Sequence, residues 1–269
     1  MEDIDSQLLL HKLKENEHRL SLLDNFATYA FWHNLDLIYS NLDENRNVQC
    51  IVCNYQNKHS SFSLLTDHCQ FGGGKLTRYI CPRCDCVFGL LKYLDLPDSL
   101  VSADYALLYS KYSESNSIEA ELDSFYALNP IKQKLYLNWG CGGLWTNSVS
   151  YLREQGFDIW GYEPSISRSE DFIVKHKKEI SAKFDAIFSN NVIEHFRHPV
   201  NEFLYFKSIL AEGGQMTHQS PCYELKYTDT RFHTLFLLGR SPHILAERTG
   251  FTAHKCSSAN DTTLYIYKQ

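Results

Sequence analysis

Two C-x-x-C pairs, Cys50/Cys53 and Cys81/Cys84, bracket a stretch with hairpin chemistry in this chain of 269 residues. Each such turn aims two thiolates at one point, and two of them close a tetrahedron around Zn²⁺. An all-sulfur donor set suits zinc or iron, and the ribbon-like spacing favours zinc. A closed four-thiolate site has no open coordination position. The metal is therefore expected to be structural, supplying folding energy to a segment too small to hold itself together. Cys69 and Cys86 stand close by in the chain, and either could replace one of these ligands. The run Gly72-Gly73-Gly74-Lys75 lacks the leading glycine and the following Ser/Thr-helix of a phosphate loop, so it is taken as a turn.

A second set of residues asks for a different ligand. In "LYLNWGCGGLWTNSVSYLREQGFDIWGYEPS", Leu135 to Ser165, glycines separate a short apolar run from a helical one, and an acid follows the next apolar run. Leu135 to Leu137 is expected to be a buried strand, Trp145 to Gln155 a helix and Phe157 to Tyr162 a second strand. Glycines at such a strand-to-helix turn let backbone and ligand approach closely, because no Cβ intervenes. The N–H groups at the helix start favour an acceptor-rich group. Glu163, ending the second strand, stands where a carboxylate can accept both hydroxyls of a ribose. Together these features ask for a nucleoside.

Both sets need a scaffold, and the composition allows one medium domain with a smaller companion. Hydrophobic residues make up 43% and charged residues 22%, the balance of an ordinary globular protein. The net charge is -6, with no basic run, which argues against a nucleic-acid partner because phosphate neutralisation leaves a basic face. No apolar run approaches a membrane span, and the charged N-terminus holds no apolar signal core. Nine cysteines without a secretion signal indicate a reducing, cytoplasmic setting.

Along the chain, 1–47 is expected to be an N-terminal helical segment, with Leu9, Leu13, Leu20, Leu23, Ala27 and Ala30 recurring at steps of three, four or seven. Its plain use is packing on its own protein; its sharper use is a homodimer helix. A zinc-ribbon module over 48–93 and a helical connector over 94–130 follow. The connector's tyrosines could form one wall of a cleft at the junction. From 131 to 269 strands and helices alternate. Asp171–Val174 and Phe184–Ser189 are expected strands, and Pro199–Leu210 a helix stopped by Gly213-Gly214. Gln215–His218 is a further strand, Pro242–Thr249 a helix stopped by Gly250, and Phe251–Lys255 and Thr262–Tyr267 the last strands. Such alternation predicts an α/β fold with a mainly parallel sheet covered on both faces.

"GCGG" after a strand, "GYEPS" after the next, then "FDAIFSNNVIEHFRHP" and "ILAEGGQM" resemble the class I S-adenosylmethionine-dependent methyltransferases over about Lys134 to Lys268. The cysteine-rich piece in front resembles the zinc ribbon of sugar and polysaccharide-cluster methyltransferases. The resemblance implies a Rossmann-like sheet preceded by the helix and the ribbon. It also implies a cofactor site in which Gly140, Cys141 and Gly142 face the methionine part of S-adenosylmethionine and Glu163 accepts the ribose hydroxyls. Asn190 and Asn191 would hold the amino-acid end, and Asp171 could contact adenine. Glu194 and His195 occupy the family's "EH" pair and are taken as structural. Asn138 stands where the family has an acid, and Leu144 where it has a glycine. An amide oxygen can still accept from the methionine amino group, but gives up charge assistance on the order of 1 kcal/mol.

The sulfonium makes its methyl carbon electrophilic, so the protein's main task is to align a nucleophile opposite the carbon–sulfur bond. A hydroxyl acceptor would also need a base. The resemblance places substrate residues in "HQSPCYELKYTDTRFHTLFLLGRSPH", where His233 and then His218 are the candidate bases. The leading expectation is O-methylation of a sugar hydroxyl in a nucleotide-sugar or bacterial surface glycan. An RNA methyltransferase, an enzyme for quinones or secondary metabolites, and a catalytically inactive scaffold are the alternatives.

Overall fold

The computed structural model describes residues 2–42, 46–112, 117–142, 147–166, 171–258 and 262–269. Leu144 and the expected helix start at Trp145 lie outside them. A long helix, α1 (Glu2–Ser40), comes first. The paired β1 (Asn47–Gln49) and β2 (Gln56–Lys58) flank the first C-x-x-C turn. Then come β3 (Ser63–His68), β4 (Lys75–Ile80), β5 (Val87–Phe88), and the helices α2 (Leu91–Leu94), α3 (Asp98–Tyr109) and α4 (Ile118–Tyr126).

The second half runs β6 (Leu135–Trp139), α5 (Ser148–Glu154), β7 (Asp158–Tyr162), β8 (Ile173–Val174) and β9 (Phe184–Asn190). After it come α6 (Pro199–Ile209), β10 (Leu210–Gln219), β11 (Leu235–Phe236), α7 (Ser241–Thr249), β12 (Thr252–Ser257) and β13 (Thr263–Lys268). Its sheet has seven strands in the order β12-β13-β10-β9-β6-β7-β8. Strands β6 to β10 pair in parallel, and β13 runs antiparallel to β10 and β12. Chain order reverses between β6 and β9, the kind of switch point at whose carboxyl ends ligands bind in open α/β sheets.

Side-chain alternation explains why this sheet is covered on both faces. On β6 and β9, Tyr136, Ala186 and Phe188 join Phe125 of α4 and Leu152 of α5 in one apolar layer. Leu137, Trp139 and Ile187 join Phe203 and Phe206 of α6 and Leu245 of α7 in the other. Strands buried on both faces carry apolar residues at successive positions, which is why "LYL" and "AIF" stand out in the sequence.

Two expectations change here. Gly213-Gly214 do not stop α6, which ends at Ile209; β10 begins at once because buried Leu210 already pairs with Phe184. The glycines form an irregularity between Leu210 and Gln215, and Gly213 has a φ of 68°. Nor does the leucine stripe of α1 pack on its own protein: Leu9, Leu13, Leu20 and Leu23 are exposed. The helix is held by its opposite face. Trp32, 1% exposed, stacks on Tyr93, while Asp36 meets Lys92 at 2.5 Å and accepts from the Lys75 N–H at 3.1 Å.

The small sheet does not close on itself. Its order is β11-β5-β4-β3, so residues 235–236 of the second half supply its edge strand. One buried cluster runs from Cys50 and Cys81 through Phe88, Leu235 and Phe196 to Phe203 and Phe206. Shortening a side chain central to it leaves a void as well as losing transfer energy. Phe203→Ala is expected to cost about 3–5 kcal/mol, measured by urea denaturation, with the signals of both halves lost in one transition.

Candidate active site

The carboxyl ends of β6, β7 and β9 bring most of the expected cofactor residues together. After Trp139 the chain turns through Gly140, whose φ is 72°. The Gly140 and Cys141 N–H groups both donate to the Tyr162 carbonyl, at 2.8 and 3.2 Å. A Cβ on Gly140 would come within 2.6 Å of the Val192 side chain, so both conformation and space require glycine there. Glu163, 8% exposed, accepts from the Gly142 N–H at 3.1 Å through one carboxylate oxygen. Its other oxygen accepts from the Ser165 N–H and hydroxyl at 2.9 and 2.6 Å. The acid is thereby held against the glycine turn.

Asn138 is fully buried, and its amide donates to Glu121 at 2.7 Å and to the Ser148 hydroxyl at 3.0 Å. Ser148 donates to the same Glu121 carboxylate, whose other oxygen accepts from Ser117 at 2.6 Å. The carboxylate missing at position 138 is therefore present one layer away, on α4. Nothing in the motif spacing points to Glu121, because only the packing of α4 across β6 and β9 brings it there. Asn190, 8% exposed, ends β9, and Asn191 has a φ of 53° with its N–H donating to the Gln219 carbonyl. Asp171 is exposed, just before β8.

Beyond Asn191, a second polar group forms at the same end of the sheet. Glu194, 1% exposed, accepts from the Ser220 hydroxyl at 2.7 Å. His195 and His233 lie with ring centroids 5.0 Å apart. Their Nδ1 atoms are 3.0 Å from the carbonyls of Phe232 and Tyr227 respectively, which makes each Nδ1–H the donor. Burial, with His195 and Arg78 adding repulsion, pushes the His233 imidazole down to about 2. Tyr105 of α3 edges against His195 at 5.9 Å, so one connector tyrosine does border this group.

The loop carrying His233 is organised from the small sheet. Arg78 of β4, fully buried, spreads its guanidinium over three carbonyls of that loop. It donates to Thr228 at 2.7 Å, Thr230 at 2.6 Å and His233 at 3.0 Å. Burial pushes its pKa down to about 10, so it remains charged at neutral pH.

His218 stands apart from this group. It is fully buried on β10, its Nδ1 2.7 Å from the Ser189 hydroxyl and its ring packed with Phe203, Phe206 and Tyr267. An acceptor cannot reach it, so the expectation of a base here gives way to a core role. Burial pushes its pKa from 6.5 down to about 3. The unfolded chain would take up a proton there below pH 6.5 that the folded chain refuses until about 3. The folded state thus loses stability as pH falls through that window. His218→Gln is expected to flatten this part of the profile, measured as urea midpoints between pH 7 and pH 4.

The four expected metal ligands also come together. Cys50, Cys53, Cys81 and Cys84 have their sulfurs within 4.8 Å of one another. Two separations, Cys50–Cys84 at 3.6 Å and Cys53–Cys81 at 3.5 Å, approach the ~3.8 Å edge of a tetrahedron with Zn–S bonds of about 2.3 Å. The turns match: Asn54 and Asp85, each with positive φ, donate to the carbonyls of Cys50 and Cys81. Cys69 lies elsewhere, 3.6 Å from Arg231, and Cys86 is buried outside the set of four. Arg240 pairs with Asp85 at 3.0 Å and Arg248 donates to the Val52 carbonyl, which ties both turns to α7.

The chain matches the family model described as a methyltransferase domain over residues 117–252, just over half its length. No curated protein matches the sequence. Solved structures that resemble it include an O-methyltransferase family protein from Burkholderia thailandensis, with a TM-score of 0.39 and 9% identity. That match covers 57% of this chain and 57% of the other. DesVI of Streptomyces venezuelae aligns at a TM-score of 0.42 and 12% identity, over 64% of this chain and 98% of its own. CalO1, a methyltransferase in calicheamicin biosynthesis solved with S-adenosylhomocysteine, aligns at 0.44 and 11%, over 63% and 58%. Likenesses this distant bear no weight for the substrate. With the family matched across the strands and turns described above, the chain belongs to the methyltransferase-domain family and is an S-adenosylmethionine-dependent methyltransferase of class I.

Proposed function

We propose that the enzyme methylates a hydroxyl of a small, sugar-like acceptor such as a nucleotide-sugar or a glycan unit. The observation that carries the reading is the close setting of the Gly140–Gly142 turn and the Glu163 carboxylate, with the Asn138–Glu121 pair behind them. In this reading Gly140, Cys141 and Gly142 border the methionine part of the cofactor, Glu163 takes the ribose hydroxyls, and Asn190 and Asn191 lie beside the amino-acid end. Asn138 accepts from the methionine amino group, and Glu121 behind it restores the negative charge that an amide lacks. Asp171 remains a candidate adenine contact from the rim.

When bound, S-adenosylmethionine supplies an activated methyl group: the new oxygen–carbon bond forms as the carbon–sulfur bond breaks and its electron pair returns to sulfur. The acceptor's proton must leave, and in this reading the neighbouring imidazoles of His195 and His233 border the acceptor. Polar, partly exposed side chains here suit a hydroxylated acceptor better than an apolar one. The net charge of -6 and the lack of a basic run favour such a small acceptor over RNA. The chain's cysteines are free, in keeping with a reducing cytoplasm.

In the same reading the four cysteines hold a structural Zn²⁺ that keeps the small sheet, and with it Arg78, in place. About one equivalent of zinc per chain is expected by elemental analysis, and Cys84→Ser is expected to lower both zinc content and melting temperature. A protein with neither zinc nor iron would exclude the metal.

Calorimetry tests the cofactor reading. S-adenosylmethionine and S-adenosylhomocysteine are expected to bind in the micromolar range. Glu163→Ala should weaken both at least about tenfold, since it leaves buried hydroxyls unpaired. Glu121→Gln should weaken them less, by a factor of about 3 to 10, the worth of a charge-assisted hydrogen bond. Undetectable binding at high micromolar cofactor would instead support a catalytically inactive scaffold.

A further inference from the structure

We propose that Glu194, His195 and His233 form a second metal centre, one that holds a divalent cation with positions left open for oxygens of the acceptor. The inference rests on reading this end of the sheet as the acceptor site. One ligand atom from each of the three residues lies within 4.8 Å of the others, close enough to share a cation. The three come from two segments brought together by backbone pairing: the Thr234 N–H donates to the Glu194 carbonyl at 2.8 Å. Both imidazoles already have the outer support of metal-ligating histidines, because each Nδ1–H donates to a backbone carbonyl and leaves the Nε2 lone pair as the donor. Ser220 gives the carboxylate comparable support. Arg78 fixes the third ligand by gripping the His233 carbonyl.

Two imidazoles and one carboxylate make a nitrogen–oxygen donor set for manganese, iron or zinc, and three protein ligands leave room for substrate. That separates the centre from the four-thiolate site, which is closed and soft. A cation here would orient the acceptor hydroxyl and ease the loss of its proton to water, so that neither histidine has to act as the base.

Mn²⁺ distinguishes the two centres, because it prefers nitrogen and oxygen ligands over thiolates. Purified full-length protein titrated with Mn²⁺ and followed by electron paramagnetic resonance is expected to bind one equivalent saturably. His233→Ala and His195→Ala should each weaken binding at least about tenfold while zinc content stays unchanged. No saturable Mn²⁺ binding in protein that binds S-adenosylmethionine would overturn the centre, as would unaltered binding in the double variant. Mn²⁺ binding without cofactor binding would overturn the cofactor reading and leave the centre standing.

The exposed face of α1 carries an independent inference: the geometry points to a parallel dimer of this chain built on that helix. Leu9, Leu13, Leu20, Leu23, Ala27, Ala30 and Leu37 fall on the alternating three- and four-residue steps of a coiled-coil seam, with Asn16 and Asn34 at two further steps. Leu9, Leu20 and Leu23 are each 61% exposed and the flanking Phe26 70%, whereas Thr28, Trp32 and Leu35 on the opposite side meet the rest of the protein. A stripe this long can supply the ~800 Å² per partner of a stable interface. In a parallel, in-register pair Lys12 of one copy faces Glu17 of the other, and Arg19 faces Asp24, which also meets its own Lys111 at 3.3 Å. An antiparallel pair would set acidic edge against acidic edge. The acidic sequence before Lys12 also suits an anionic lipid surface poorly.

Light scattering after gel filtration of the full chain at micromolar concentration is expected to give a dimer. Leu20→Asp with Leu23→Asp should give a monomer with unchanged cofactor binding. Lys12→Glu should weaken the dimer and added Glu17→Lys restore it. A monomeric wild type, or a dimer indifferent to the leucine substitutions, overturns the interface; failure of the charge swap to restore it overturns the parallel arrangement.

Discussion

The arrangement of this protein depends on one buried guanidinium. Arg78 sits in the small antiparallel sheet, yet its hydrogen bonds go to carbonyls of the loop that carries His233 in the other half of the chain. A charged group taken out of water needs several good partners, and backbone carbonyls in one loop conformation provide them. The relation is mutual. The loop needs a donor for carbonyls that no strand pairs, and the arginine needs that loop. Strand β11 then joins the same sheet through β5, so the cysteine-bearing module and the methyltransferase sheet share one core.

That coupling gives the cysteine cluster a role at a distance. The four thiolates converge beside β4 and β5, so whatever holds them together also bears on where Arg78 points. The salt bridge and hydrogen bond from α7 to the two cysteine turns add a second route from the module to the large sheet. The module shares a core with the large sheet and is no appended domain.

At the cofactor end a different constraint operates. The turn after β6 must pass between Val192 and the end of β7, and only a glycine at 140 allows it. The acidic function expected at the end of β6 has moved to α4, where Glu121 is fixed by Ser117, Ser148 and Asn138. A carboxylate and an amide thus lie in contact beside the glycine turn.

Much of this was legible in the sequence because it is local. The C-x-x-C turns, the glycine turn after a short apolar run, the acid closing the next strand and the αL glycine after α7 each follow from residue type at fixed spacing. The mainly parallel sheet followed from alternation and resemblance together, and its strand order from the tertiary pairing. What only the tertiary structure decided depends on which distant segments touch. His233 and, after it, His218 are the candidate bases in sequence, yet His218 is sealed between aromatic rings on β10 and His233 borders Glu194 and His195. Glu121 and Arg78 carry no motif at all, since their partners lie 17 residues away and more than 150 residues away. The leucine stripe of α1 reads as a packing face in sequence, but in the structure it is exposed while Trp32 on the opposite side packs against the rest of the chain. Periodicity cannot say which side of a helix meets its own fold.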